Sequence, residues 1–171
     1  MKRRNFVRHM SLALAAGMFA PHTVLRLAHA ATSPPDGFFA RTYPDVDGHE
    51  IAMSSYLGQP LVLNFWATWC PPCVKEMPDL EALHLEYPQV GFVGLAADTS
   101  SNIQKFQEKV KVSYPLLVGG HGVIQLMREL GNQSGGLPFT LVFNDEGKIV
   151  QRFLGQVKPD ELKRAIEHLG A

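Results

Sequence analysis

Cys70 and Cys73 are the only cysteines of the 171-residue chain, and two prolines separate them in the stretch NFWATWCPPCVKEMPDL. Two close thiols can act as a structural staple, as part of a metal clip, or as a pair that exchanges disulfides. The staple is a poor use of them, because loop-closure stabilisation grows with loop length and only two residues are enclosed. Tetrahedral zinc needs four ligands, and His49, His84, His121 and His168 form no paired H-x-H or H-x₃-H motif. Covalent haem attachment requires histidine where Val74 stands. A reactive dithiol remains.

The elements around the pair suit that chemistry. LVLNFW, residues 61–66, is a continuous apolar run, as expected of a strand covered on both faces. A helix is predicted from the prolines to about Tyr87, with Leu80, Leu83, His84 and Tyr87 at helical spacing and a kink at Pro78. Cys70 then lies at the helix N-terminus, where free N–H groups and the dipole stabilise a thiolate. Cys73 falls one turn inside and shielded. An accessible thiolate beside a covered partner is what thiol–disulfide exchange needs.

The rest of the chain supplies a frame. A short irregular strand pair is predicted over Phe38–Ile51 around DVDG, then a one-turn helix with Ser54 as its cap. VGFVGLAA reads as a buried strand, NIQKFQEKVKV as an amphipathic helix with Ile103, Phe106 and Val110 on one face, and YPLLVG as a short strand. A helix over Val123–Leu130 stops at Gly131, a hairpin turns at NDEG with Gly147 at positive φ, and a last helix spans Pro159–Leu169. Strands alternating with helices and ending in a hairpin give an α/β fold, a mixed sheet with helices on both faces.

Residues 1–30 differ in character from the rest of the chain. They hold five basic residues, no acid, the apolar stretch SLALAAGMFA and a small-residue AHA end, which is the layout of a cleavable export signal. An anchor reading is weaker, because that apolar stretch spans only about 15 Å as a helix. RRNFVR is similar to a twin-arginine signal. Residues 31–37, ATSPPDG, read as a linker and 38–171 as one domain. Without residues 1–30, 11 Lys/Arg face 16 Asp/Glu, a net charge of −5, so no basic surface for nucleic acid is expected.

FWATWCPPC resembles the active site of the thioredoxin superfamily. With the central strand–helix region and the LPFTLVFNDEGKIVQRFLG tail, residues 38–169 are similar to its exported TlpA/ResA-type branch. The resemblance implies a thioredoxin-like fold with an N-terminal strand pair and a central inserted strand–helix element. It implies that Cys70 is the nucleophile, Cys73 the resolving thiol, and the two a redox-active disulfide. Pro138 would be a cis-proline that helps bind extended substrate, with Leu137 beside it and Trp69 at the rim. Phe139 departs from the small hydroxyl residue common at its position.

Spacing alone makes Glu76 an exposed first-turn acid, favourable with the helix dipole. The resemblance makes it a buried acid/base for Cys73. Asn64 stands where cytosolic thioredoxins carry a buried aspartate, and an amide cannot relay a proton.

The resemblance implies a thiol–disulfide oxidoreductase acting on a disulfide-containing protein, with no metal or organic cofactor needed for the chemistry; the export signal places it in the periplasm, and a monomer is expected. A membrane-bound dithiol would recharge it, and apocytochrome c or a copper-site protein would be its target. Pro71 and Pro72 offer no N–H to a Cys70 thiolate, which leans the pair towards a reductant. A disulfide-forming oxidant and a Cu(I)-binding protein are the alternatives. Peroxide reduction is not expected without an upstream T-x-x-C.

Overall fold

The computed structural model describes residues 37–170; the export signal expected over 1–30, and the linker except Gly37, lie outside them. Strand β3 (Leu61–Trp66) is buried along its whole length. It is the middle strand of a five-stranded sheet ordered β5-β4-β3-β6-β7. β4 (Gly91–Ala96) and β5 (Leu116–Val118) run parallel to it, and β6 (Phe139–Phe143) and β7 (Ile149–Leu154) form the antiparallel half. Parallel neighbours need crossovers. α1 (Pro71–Glu86) joins β3 to β4, and α2 (Ser100–Gln107) joins β4 to β5. α3 (Val123–Glu129) precedes β6, and α4 (Pro159–Glu167) follows β7. A separate antiparallel pair, β1 (Thr42–Pro44) with β2 (Glu50–Ala52), lies at the N-terminal side of the chain.

Alternation along the strands sorts the core into two layers. Val62 and Trp66 pack with Cys73, Met77, Leu80 and Leu83 of α1, Ile103 of α2, and Leu162 and Ile166 of α4. Leu61, Leu63 and Phe65 point the other way, towards Val123, Leu126 and Met127 of α3 and towards Phe38, Phe39 and Met53. Each fully buried Leu or Phe contributes about 1.5–3 kcal/mol, so both layers hold the sheet. Asn64 shares the phase of Val62 and Trp66. The polar residue of β3 is therefore aimed at the helix that carries the cysteines.

Four local expectations change. Phe38 and Phe39 sit in a 3₁₀ turn (Gly37–Ala40) rather than a strand, because both rings are buried against Phe143. Ser54 caps nothing: Ala52 holds the cap position of the turn Met53–Tyr56 with no side-chain bond. α2 starts earlier than expected, with Thr99 Oγ1 accepting the Asn102 N–H at 3.3 Å, and it ends at Gln107. The β-branched pair Val110 and Val112 has low helix propensity, and Pro115 follows shortly. The last helix ends at Glu167 and tightens into a 3₁₀ turn (His168–Gly170). The hairpin forms as expected, with Gly147 at φ 78°. A Cβ there would stand 2.9 Å from Leu57 Cδ2 and 3.0 Å from Phe39 Cε2, so glycine answers a close approach as well as the turn.

Candidate active site

α1 opens where β3 releases the chain. Pro71 fills the first helical position, where its fixed φ suits a helix and its missing N–H is no loss. Cys70 is the N-cap, with extended backbone, and its Sγ accepts the Cys73 N–H at 3.4 Å. The two cysteines are joined as a disulfide with their Cα atoms 5.3 Å apart. Pro78 lies inside α1 on its exposed side, so the Val74 carbonyl lacks its helical donor there.

Cys73 is 0% exposed and Cys70 is 5% exposed. The order matches the expectation, but the amount does not: Cys70 is nearly covered rather than open. Its sulfur is turned inward to bond Cys73, and it belongs to the apolar cluster of Ala67, Trp66 and Met77. Trp69, its chain neighbour, is 65% exposed.

Glu76 is 0% exposed, not the solvated acid that spacing alone suggests. Oε1 accepts from Asn64 Nδ2 at 2.7 Å, and Oε2 accepts the Val157 main-chain N–H at 2.9 Å. Burial dominates its titration and pushes the carboxyl up to about 7, against the two hydrogen bonds, which favour the charged form. A carboxyl so placed can take or give a proton near neutral pH. Asn64 Nδ2 also donates to Thr140 Oγ1 at 3.0 Å, and Asn64 Oδ1 is buried with no partner among the described residues.

The Leu137–Pro138 peptide bond is cis. Phe139 pairs with Phe65, so Pro138 enters the sheet level with the end of β3, from which the cysteine loop departs. Pro138 is buried, and its carbonyl accepts the Gly155 N–H at 2.9 Å. Leu137 is half-buried and packs against both core layers. Cys70 at the cap, with Cys73 and Glu76 three and six residues on, thus line one side of the first two turns of α1, while Leu137 and Pro138 arrive at the same end of the sheet.

Three supports were not anticipated from sequence. Asp98, after β4, accepts from Thr68 N–H (3.1 Å), Thr68 Oγ1 (2.6 Å), Thr99 N–H (2.8 Å) and Asn102 Nδ2 (2.7 Å), which fastens the loop before Trp69 and Cys70. Burial alone would raise its carboxyl, but these donors win and hold it below the ordinary carboxylate range. Asn132 donates to the Gly136 carbonyl at 2.8 Å and accepts from Ser134 Oγ and the Gly135 N–H, shaping the approach to Leu137–Pro138. Thr140, beside Asn64 across β3 and β6, is the third.

Elsewhere, Asp45, Asp47 and His49 gather one possible ligand atom each within 4.8 Å. Asp45 already accepts the Asp47 and His49 N–H groups, so this cluster is accounted for by the β1–β2 turn. A groove of ≈ 600 Å³ lined by Val150, Phe153, Arg164 and His168 lies between β7 and α4, and neither cysteine borders it.

Residues 36–152 match the AhpC/TSA family. The thiol-disulfide oxidoreductase ResA of Geobacillus thermodenitrificans (strain NG80-2) is 30% identical over 128 residues, covering 73% of this chain and 71% of its own. A thioredoxin-related protein from Neisseria meningitidis serogroup B is 33% identical, with a TM-score of 0.67 over 76% of this chain and 98% of that one. A secreted Mycobacterium tuberculosis disulfide oxidoreductase homologous to E. coli DsbE is 26% identical, with a TM-score of 0.64 over 75% and 95%.

The sheet, the cis-proline and the bonded Cys-x-x-Cys at a helix start, together with these matches, define a thioredoxin-like thiol–disulfide oxidoreductase. The chain belongs to the AhpC/TSA family, and its relatives include the ResA proteins.

Proposed function

We propose that this oxidoreductase works in the periplasm as a reductant of protein disulfides. Cys70 thiolate attacks a target disulfide, forms a mixed disulfide and expels one target thiolate. Glu76 carboxylate takes the proton from the Cys73 thiol. The Cys73 thiolate then attacks the Cys70 sulfur, closing the Cys70–Cys73 bond and releasing the second target thiolate, which takes a proton from water. The enzyme, left oxidised, is recharged by a dithiol donor, in this reading a membrane protein. Exposed Trp69 and half-buried Leu137 meet the target chain, with buried Pro138 shaping the main chain behind them.

The observation that carries the direction is the poverty of donors around Cys70. Pro71 and Pro72 have no N–H, and the Cys73 N–H reaches Sγ at 3.4 Å. Strong oxidants owe their potential to a strongly stabilised thiolate in the reduced form; here the helix start offers its dipole and the Cys73 N–H, but the two prolines withhold two of the donors it would otherwise add. Glu76 adds the proton acceptor that the resolving step needs. The signal-like residues 1–30 support export by a cleavable leader, with RRNFVR pointing to the twin-arginine route. Domain 38–171 would then act alone as a monomer, with apocytochrome c thiols or a copper-site protein as targets.

Two measurements test this. Equilibration with glutathione should give a potential well below the ~−120 mV of strong oxidants; a value near that figure reverses the direction. Cys73→Ser should trap a mixed disulfide on Cys70 in a periplasmic extract, and Cys70→Ser should not. Trapping on Cys73 instead would overturn the assignment of roles.

A further inference from the structure

Asn64 is the point where β3, β6 and α1 meet through polar atoms alone. Its side chain is 2% exposed, Thr140 is 0% and Glu76 is 0%. Its two N–H bonds are both used, on Glu76 Oε1 and Thr140 Oγ1, while buried Oδ1 has no donor among the described residues. A buried carbonyl left without a donor is unfavourable. The arrangement suits an ionised Glu76, because both carboxylate oxygens receive donors, Asn64 Nδ2 and the Val157 N–H. It does not suit a protonated one, whose new O–H would meet only those same donors.

The two ends of an asparagine amide differ by little in size, and a hydroxyl rotates to donate or accept. Reversing the amide therefore needs no repacking. It turns Oδ1 towards the Glu76 carboxyl and Thr140, and it leaves Nδ2 where Oδ1 stood. Either orientation makes two hydrogen bonds and strands one end of the amide, so the protonation of Glu76 is left to choose between them.

We propose that Asn64 is a positioning residue whose amide reverses when Glu76 takes up a proton. With Glu76 ionised, Nδ2 donates to Glu76 and Thr140. With Glu76 protonated, Oδ1 accepts the carboxylic O–H and the Thr140 O–H. The amide thus gives the proton removed from Cys73 a place to rest, although it never carries that proton itself. This rests on Glu76 being the acceptor for Cys73.

Among the described residues, the other titratable groups near Glu76 are few. Cys73 and Asp79 share α1 with it, and the Asp79 charge opposes its ionisation. Tyr114, before β5, feels the Glu76 charge and has its phenol raised chiefly by burial. Lys158, next to Val157, is engaged at the surface with Glu161 at 3.1 Å.

The test uses the oxidised full chain, needs no substrate, and reads side-chain amide ¹H–¹⁵N resonances from pH 5 to 9 beside the Glu76 carboxyl ¹³C signal. The Asn64 Nδ2 protons should titrate with the same midpoint as Glu76 and lose exchange protection on the acid side. Glu76→Gln should abolish that titration. Asn64→Leu should move the Glu76 midpoint up by about one pH unit, a tenfold weaker acid. Thr140→Val, a milder change should Asn64→Leu fail to fold, should keep the coupling but shift the midpoint less. An Asn64 amide that stays flat while Glu76 titrates, or that titrates unchanged in Glu76→Gln, overturns the reversal. Failure of trapping by Cys73→Ser would strike the proposed function and leave these spectra as they are.

Discussion

Glu76 Oε2 accepts the main-chain N–H of Val157 at 2.9 Å, a bond between residues 81 positions apart. It ties the turn of α1 that carries Cys73 to the loop that launches α4. Val157 N–H and Asn64 Nδ2 donate to its two oxygens and hold the carboxylate in place. Its chemistry is set by burial, and its position by hydrogen bonds.

That carboxyl makes stability depend on pH in a definite sense. The folded pKa, about 7, lies above the ordinary 4.5. The stability it contributes is fully present below 4.5 and is lost as pH rises through about 7. The loss is at most about 3–4 kcal/mol at ~1.4 kcal/mol per pH unit. Urea unfolding of oxidised protein at pH 4, 6 and 8 should show this decline, and Glu76→Gln should flatten it. The same variant should slow release of a trapped target by about 10²-fold at neutral pH, the usual scale for a lost general base. A parent profile that rises across this window would refute the sign.

Asp98 predicts the opposite slope on the acid side. Its folded pKa lies below its ordinary value, so its stability is present above the ordinary carboxylate range and is lost as pH falls through the folded pKa. Asp98→Ala strands the Thr68 and Thr99 N–H groups and should cost about 2–3 kcal/mol. Asp98→Asn should cost less, since one oxygen still accepts. The Thr68–Cys70 loop should loosen in both, seen as faster alkylation of Cys70 in reduced protein. Unchanged alkylation would show that the loop is held by its apolar packing instead.

The sheet and the cysteine turn were legible because their signals are local. LVLNFW is short, apolar on both phases and stops at the cysteine turn, as a covered strand does, and proline at the first helical position marks where α1 begins. Glu76 was ambiguous for a physical reason. Three residues after Cys73, it could face solvent or core, and nothing in helical spacing says that Asn64 and Val157 wait there. Thr140 and Asp98 stayed unread because their partners lie 76 and 30 positions away. The near-closure of Cys70 is not legible either, since a helix N-cap is ordinarily solvated and what covers this one is its place in the tertiary core cluster and its bond to Cys73.

Trp69 offers a large apolar face at 65% exposure beside a cysteine at 5%. Removing a side chain that touches little should leave stability within about 0.5 kcal/mol. Trp69→Ala should nonetheless raise KM for a protein disulfide roughly tenfold, as loss of an aromatic anchor does, with little change towards a small disulfide such as oxidised glutathione. Equal effects on both substrates would mean that Trp69 acts on the sulfur chemistry and not on the target surface.

Pro72 is the sharpest handle on redox direction. At the second helical position it withholds an N–H and any side-chain charge from Cys70. Pro72→His restores the amide and adds a cation close to the sulfur, and both stabilise the thiolate. Because the reduced form gains, the pair should become more oxidising. The glutathione equilibrium should shift at least tenfold towards reduced enzyme, about 30 mV for two electrons, and the Cys70 pKa should fall in parallel. If the potential moved without the pKa, thiolate stabilisation would not be its cause. If neither moved, the two prolines would not set the direction, and the case for a reductant would lose its footing.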